Sequence, residues 1–235
     1  MGLSDVGGSV DEDVRPERCV VAVDGPSGSG KSTVSRRLAT ALDGVYLDTG
    51  AMYRAVTWAV LDAGVDPADS EAVAKIALET SLSIGTDAVH PRFFANSTDV
   101  TTIIRGPAVT AAVSAVSAVP GVRRHLVTLQ REIIAAHPRI VVEGRDIATV
   151  VAPDAELKVY LTASAAARAR RRSTENATGL AATRADLERR DAYDSSRVAD
   201  PLRQAADAIE VDTTGLGIDA VVERLLDLLN SKVRS

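Results

Sequence analysis

Residues 25–33 read Gly25-Pro26-Ser27-Gly28-Ser29-Gly30-Lys31-Ser32-Thr33 and fill every fixed position of the phosphate-loop pattern G-x-x-x-x-G-K-S/T. The flanks have the order this loop needs. Cys19 to Val23 is an unbroken apolar run, as in a strand buried on both faces of a parallel sheet, and from Thr33 onward Val34, Leu38, Ala41 and Leu42 recur at helical spacing. Glycines at 25, 28 and 30 reach backbone angles closed to other residues, so successive N–H groups can turn inward around a polyphosphate. The positive end of the following helix adds to that field. Lys31 is expected to reach the terminal phosphates and the Ser32 hydroxyl to ligate Mg²⁺, so the loop implies ATP or a similar triphosphate without naming what accepts the phosphate.

A chain of 235 residues with 46% apolar content can bury a sizeable core. No apolar run approaches bilayer length, so no membrane contact is expected. The N-terminal stretch carries Asp5, Asp11, Glu12 and Asp13 without an apolar segment, so residues 1–17 are expected to form a flexible tail rather than a secretory signal. The single cysteine, Cys19, excludes an intrachain disulfide, and its place in an apolar run suggests a small buried hydrophobe; both suit the cytoplasm. A net charge of −5 argues against a nucleic-acid partner, yet nine arginines fall between Arg168 and Arg203, which points to a local anion site.

Strand and helix patterns then alternate along the chain. Val45 to Leu47 reads as a strand and Gly50 to Ala63 as a helix with Met52, Val56, Ala59, Val60 and Ala63 on one face. Ala72, Val73, Ile76 and Ala77 mark another helix, and Leu82 to Ile104, broken by Gly85, Pro91 and Asn96-Ser97, reads as small antiparallel strands. Pro107 stands where a helix begins, and beyond Pro120 an amphipathic helix carries Val122, Leu126, Leu129 and Ile133. Ile140 to Val142 and Leu157 to Leu161 are two further core strands. Thr183-x-x-Asp186 has the form of a helix start within an arginine-rich helical region of about 165–197. Ala208 to Val211 is the last strand, and Ile218, Val222, Leu225 and Leu229 face the core from the last helix. The pattern predicts an α/β fold, a doubly wound parallel sheet of five strands with two insertions.

In an open α/β sheet ligands lie at the carboxyl ends of the strands. Thr49, Tyr53 and Arg54 follow the second strand, and Arg145 and Asp146 follow the strand that ends at Glu143, so both groups should face the crevice of the phosphate loop. Arg190, Asp194 and Arg197 share one helical stripe. Each segment has a plainer reading: Asp48 as a helix cap, Arg145 and Asp146 as a surface ion pair, and the 190–197 stripe as a salt-bridged solvent face.

The run from Val23 to Ser32, Leu47-Asp48-Thr49-Gly50-Ala51-Met52-Tyr53-Arg54, Glu143-Gly144-Arg145-Asp146 with Val150-Val151-Ala152-Pro153-Asp154-Ala155 after it, and Arg190-Asp191 before Pro201-Leu202 together resemble the bacterial cytidylate kinases. The resemblance covers nearly everything after about residue 18. It implies one kinase domain over 18–235, with a core of 18–64, 138–165 and 205–235, an enlarged nucleoside-monophosphate insertion over 65–137 and a helical lid over 166–204. It implies transfer of the terminal phosphate of ATP to CMP or dCMP, by a monomer. It further implies that Thr49, Ser114, Arg123 and Asp146 surround the cytosine, that Arg54 and Arg145 grip the monophosphate, and that Arg190, Asp194 and Arg197 approach the ribose and phosphates from the lid.

The chemistry is consistent with those assignments. Cytosine offers an amino donor beside two acceptors, and Asp146 with Arg123 supplies the complementary pair. Uracil would set an oxygen against the carboxylate at a cost on the order of 1–3 kcal/mol, so cytidylate should be preferred over uridylate. A metaphosphate-like transition state is stabilised by positioning and charge, and the acceptor oxygen is already ionised, so no general base is required. Arg168, Arg171 and Arg172 share a helical face that would lie over the donor phosphates on lid closure. A shikimate or thymidylate kinase would carry other acceptor motifs, a regulatory GTPase would need Asn-Lys-x-Asp, and a nucleic-acid binder would show no turnover.

Overall fold

The computed structural model describes residues 17–176, 180–196 and 200–233, and among these no helix is long and apolar enough to cross a membrane. The expected tail at 1–17 lies outside them except for Glu17. Strand β1 (Cys19–Asp24) is buried along its whole length because it is the centre of the sheet. With β2 (Val45–Asp48), β6 (Arg139–Glu143), β7 (Leu157–Thr162) and β8 (Ile209–Asp212) it forms the order β2-β6-β1-β7-β8, every neighbouring pair parallel. The period of two divides each strand between two cores: Val20 and Ala22 point to one face, Cys19, Val21 and Val23 to the other. The second face is covered by α1 (Lys31–Ala41) and α8 (Ile218–Val233), through Val34, Leu38, Val221, Val222, Leu225 and Leu229. The first is covered by α2 (Thr49–Asp62), α3 (Ser70–Glu79), α4 (Pro107–Ala118) and α5 (Pro120–Ala135). This is the doubly wound five-stranded α/β sheet that the alternating pattern predicts.

Local signals fix the helix starts. Asp48 and Asp69 accept from Ala51 N at 2.8 Å and Ala72 N at 3.0 Å, and Pro107 and Pro120 begin α4 and α5 where a missing N–H costs nothing. The expected antiparallel strands are β3 (Leu82–Ile84), β4 (Phe93–Ala95) and β5 (Thr98–Asp99), and Asn96 and Ser97 turn between the last two with positive φ of 49° and 69°. This small sheet, with the segment that follows it, sits on α2 through Phe93, Ala95, Val100 and Ile104.

Four local expectations are corrected. The arginine-rich region is helical as expected, in α6 (Ala165–Asn176) and α7 (Leu180–Ser196), but Thr183 is buried inside α7 rather than capping it. Helix α2 begins at Thr49, one residue early, because Asp48 supplies the cap. Ala63 lies beyond its end and is exposed. Ile218 opens α8 with 42% of its surface exposed, and Val221 takes the core position instead.

Candidate active site

The carboxyl ends of β1, β2 and β6 meet at a cavity of about 690 Å³. The loop between β1 and α1 forms one wall. Gly25 has φ 145° and lies so near β7 that a Cβ there would stand 2.2 Å from Leu161 O, while Gly30 has φ 93° as it enters α1. No side chain caps α1, so its first N–H groups remain directed at the cavity. Lys31 Nζ donates to Pro26 O at 2.8 Å across the mouth of the loop. Ser32 Oγ and Tyr46 Oη both donate to Glu143 Oε1 at 2.7 Å, and Glu143 Oε2 is buried without a hydrogen-bond partner.

On the opposite wall Thr49, Tyr53 and Arg54 project from the first turns of α2. Thr49 Oγ1 donates to Glu143 O at 2.7 Å, and Arg54 Nη1 donates to Ile104 O at 3.0 Å and Thr110 Oγ1 at 2.9 Å. Arg123 from α5 is held along three edges: Nη2 donates to Asp146, Nε to Asp200 Oδ2 at 2.7 Å, and Nη1 to Ser117 O at 3.4 Å, with the Tyr53 ring 5.5 Å from the guanidinium carbon. Arg145 Nε donates to Asp194 Oδ2 at 2.9 Å, which ties α7 to the end of β6. A further link runs from α7 to the phosphate loop, where Asp191 accepts from Ser27 N at 3.2 Å and from Arg168 Nη1.

The charged groups perturb one another. Burial pushes the Asp24 carboxyl up to about 6, partly offset by the N–H groups of Ala148 and Ile147. Burial together with the Arg145 charge lowers Lys31, and burial together with Asp48 raises Glu143. Such opposed shifts in one cleft mark a site poised to receive the charge of a ligand.

Of the residues expected from sequence, Ser27 to Thr33, Thr49, Tyr53, Arg54, Ser114, Arg123, Arg145, Asp146 and Asp194 all line this cavity. Gly25 and Pro26 shape the loop behind it. Arg197 lies outside the described residues, as does the side chain of Arg190, whose backbone belongs to α7. Of the three arginines expected over the donor phosphates, Arg171 and Arg172 line the cavity, while the Arg168 guanidinium is taken by Asp191 and Ser27 O. Arg171 donates to Ser29 O at 3.2 Å and Thr213 O at 2.6 Å, bracing the loop. Sequence reasoning missed Arg105, which pairs with the helix cap Asp48 at 3.0 Å, and an apolar edge of Leu216, Ile218 and Val221. The signal for that edge was available: Gly215 and Gly217 shortly after the last strand, with Leu216 apolar between them and Ile218 apolar at the start of the next helix.

The sequence profile of the cytidylate kinases matches residues 21–231. Cytidylate kinase of Mycolicibacterium paratuberculosis is 55% identical over 218 residues, covering 91% of this chain and 96% of its own length. Those of Rhodococcus opacus and Streptomyces coelicolor are 55% and 52% identical, each over 91% of this chain and over 95% and 93% of their own lengths. A solved structure of an uncharacterized protein from Eubacterium ventriosum shares the fold at a TM-score of 0.52 with 10% identity, over 91% of this chain and 99% of that one. With a profile match over most of its length, relatives identical at more than half of the aligned positions and one cavity joining the matching motifs, the chain belongs to the cytidylate kinase family of phosphotransferases.

Proposed function

We propose that this chain transfers the γ-phosphoryl group of ATP to CMP and dCMP, giving ADP with CDP or dCDP. One observation carries the reading: the phosphate loop and the base-complementary pair Arg123–Asp146 line the same cavity. Triphosphate binds along the N–H groups of Gly28 to Ser32, with Lys31 leaving Pro26 O for the terminal phosphates, whose charge restores the ammonium form that burial disfavours. The adenine takes the apolar edge of Leu216, Ile218 and Val221, beside Arg171.

At the acceptor end, Asp146 accepts from the cytosine amine and Arg123 donates to the ring acceptors, with Thr49, Tyr53 and Ser114 around them. Because Arg123 is already fixed along three edges, the pocket presents its donor and acceptor pattern without reorganising. Arg54 and Arg145 grip the monophosphate; Arg190 and Arg197 join them from the lid, where Asp194 holds the ribose. A CMP phosphate oxygen then attacks the γ-phosphorus as its bond to the bridging oxygen of ADP breaks, and these arginines with Lys31 stabilise the spreading charge.

Mg²⁺ fits the residues present. The exposed Ser32 hydroxyl opens on the cavity beside the Glu143 carboxylate, whose second oxygen is buried without a partner, a donor set of hard oxygens that leaves positions for phosphate and water. An ion held there by Ser32 and Glu143 would neutralise charge on the donor phosphates. The insertion over 65–137, the lid over 166–204, the cytoplasmic setting and the monomeric state belong to the same proposal, and light scattering after gel filtration reads the last of these. An ADP-release assay across CMP, dCMP, UMP, AMP and dTMP tests the activity. CMP and dCMP should exceed UMP by about ten-fold or more in kcat/KM. A best acceptor among AMP and dTMP would reject the reading.

A further inference from the structure

The segment Gly144–Ala148 leaves β6 and carries Arg145 and Asp146 into the cavity, and both of its ends are fastened to the strand that feeds the phosphate loop. At the near end Gly144 N donates to Val23 O at 3.0 Å. At the far end the Asp24 carboxylate accepts from Ile147 N at 2.9 Å and Ala148 N at 2.8 Å, one oxygen to each. Ile147 and Ala148 open a single wide turn, Ile147–Val151, in which Val151 N reaches back to Asp146 O. Asp24 is 2% exposed and immediately precedes Gly25, so the residue that enters the donor loop also anchors the acceptor turn.

We infer that Asp24 is a positioning residue: its two carboxylate oxygens set the turn at 147–151, and through it the placement of Arg145 and Asp146 against the acceptor nucleotide. The inference rests on the cytidylate reading for the identity of that acceptor. A buried carboxylate must be held by donors to be tolerated, and both donors here belong to one turn. Each oxygen accepts from a backbone N–H group of the turn, and the side chain is buried and does not line the cavity, so it faces the turn and not the substrate. Lys31 and Asp146 are the charges closest in influence, one from the donor loop and one from the acceptor turn. An offset of about 1 Å in a reacting group is enough to cost on the order of 100-fold in rate, so loss of this anchor is expected to disturb alignment of the acceptor.

The test is Asp24→Asn, which keeps the shape but can accept from only one of the two N–H groups. We expect about a ten-fold rise in KM for CMP with a comparable fall in kcat, while KM for ATP stays within about two-fold. In an Asp146→Ala background the same change should cost less than it does in the wild type, because one of the two anchored side chains is already gone and only Arg145 is left to misplace. Amide exchange at Ile147 and Ala148 should accelerate in Asp24→Asn and stay unchanged in β7. Should that variant fail to fold, Asp24→Glu retains the charge but moves the carboxylate by a methylene, and the same losses are expected. Equal loss for both nucleotides, an undiminished penalty beside Asp146→Ala, or unaltered exchange at 147 and 148 would overturn the inference. A wild-type protein that ignored CMP would reject the cytidylate reading alone, leaving the exchange measurement to decide on Asp24.

Discussion

A buried guanidinium that loses its carboxylate is destabilising unless another partner remains, and Arg123 has one in Asp200. Asp146→Ala should therefore fold, keep Arg123 in place and lose only the acceptor that faces the cytosine amine. Competition between CMP and UMP should show the preference collapsing to within about three-fold, with KM for ATP unchanged; a variant that still discriminates would disprove the role of Asp146. Cys19 gives a second prediction. Burial and the neighbouring Glu156 push its thiol up from 9.0 to about 12, so iodoacetamide at pH 8 should label it only after denaturation. The folded state holds this proton through a range in which the unfolded chain has lost it, so its contribution to stability falls as pH rises from about 9 towards 12. Rapid labelling of native protein would contradict the burial. Residues such as Thr49, Arg54 and Asp146 were legible because strand ends in an α/β sheet point to one crevice. Asp24 and Thr213 were not, since their partners are backbone atoms more than forty residues distant, brought near only by the strand order.

Elements were most legible where one buried face imposes a period. The strands at 19–23, 140–142 and 157–161 and the helices carrying Val34 and Leu126 stand as the apolar pattern predicts. The arginine-rich region was harder. Its helices face a polar crevice as much as a core, so Thr183-x-x-Asp186 imitates a cap in the middle of α7. Beside its buried Leu187, that helix is tied down by two carboxylates, Asp191 on Arg168 and Asp194 on Arg145. Contacts of this kind exchange readily for phosphate, and they make α7 the element expected to move when nucleotides bind. Spin labels at Leu78→Cys on α3 and Ala185→Cys on α7, both exposed, should report a shorter distance once CMP and a non-hydrolysable ATP analogue are added together. Cys19, being buried, should not take up label. An unchanged distance would refute closure of the 166–204 segment on the 65–137 insertion.

At the scale of the molecule, an acidic chain of net charge −5 concentrates arginine and lysine around one cavity: Lys31, Arg54, Arg105, Arg123, Arg145, Arg171 and Arg172 all line it. Such a distribution attracts a compact polyanion without making a broad basic surface. We propose that two nucleotides meet end to end in this cavity. The most direct test is a bisubstrate ligand, adenosine and cytidine joined through their 5′ positions by five phosphates, titrated by calorimetry and used as an inhibitor. One molecule should bind per chain and compete with both ATP and CMP, with an affinity at least about 100-fold above either. Competition against one nucleotide and not the other, or two molecules bound per chain, would contradict the account.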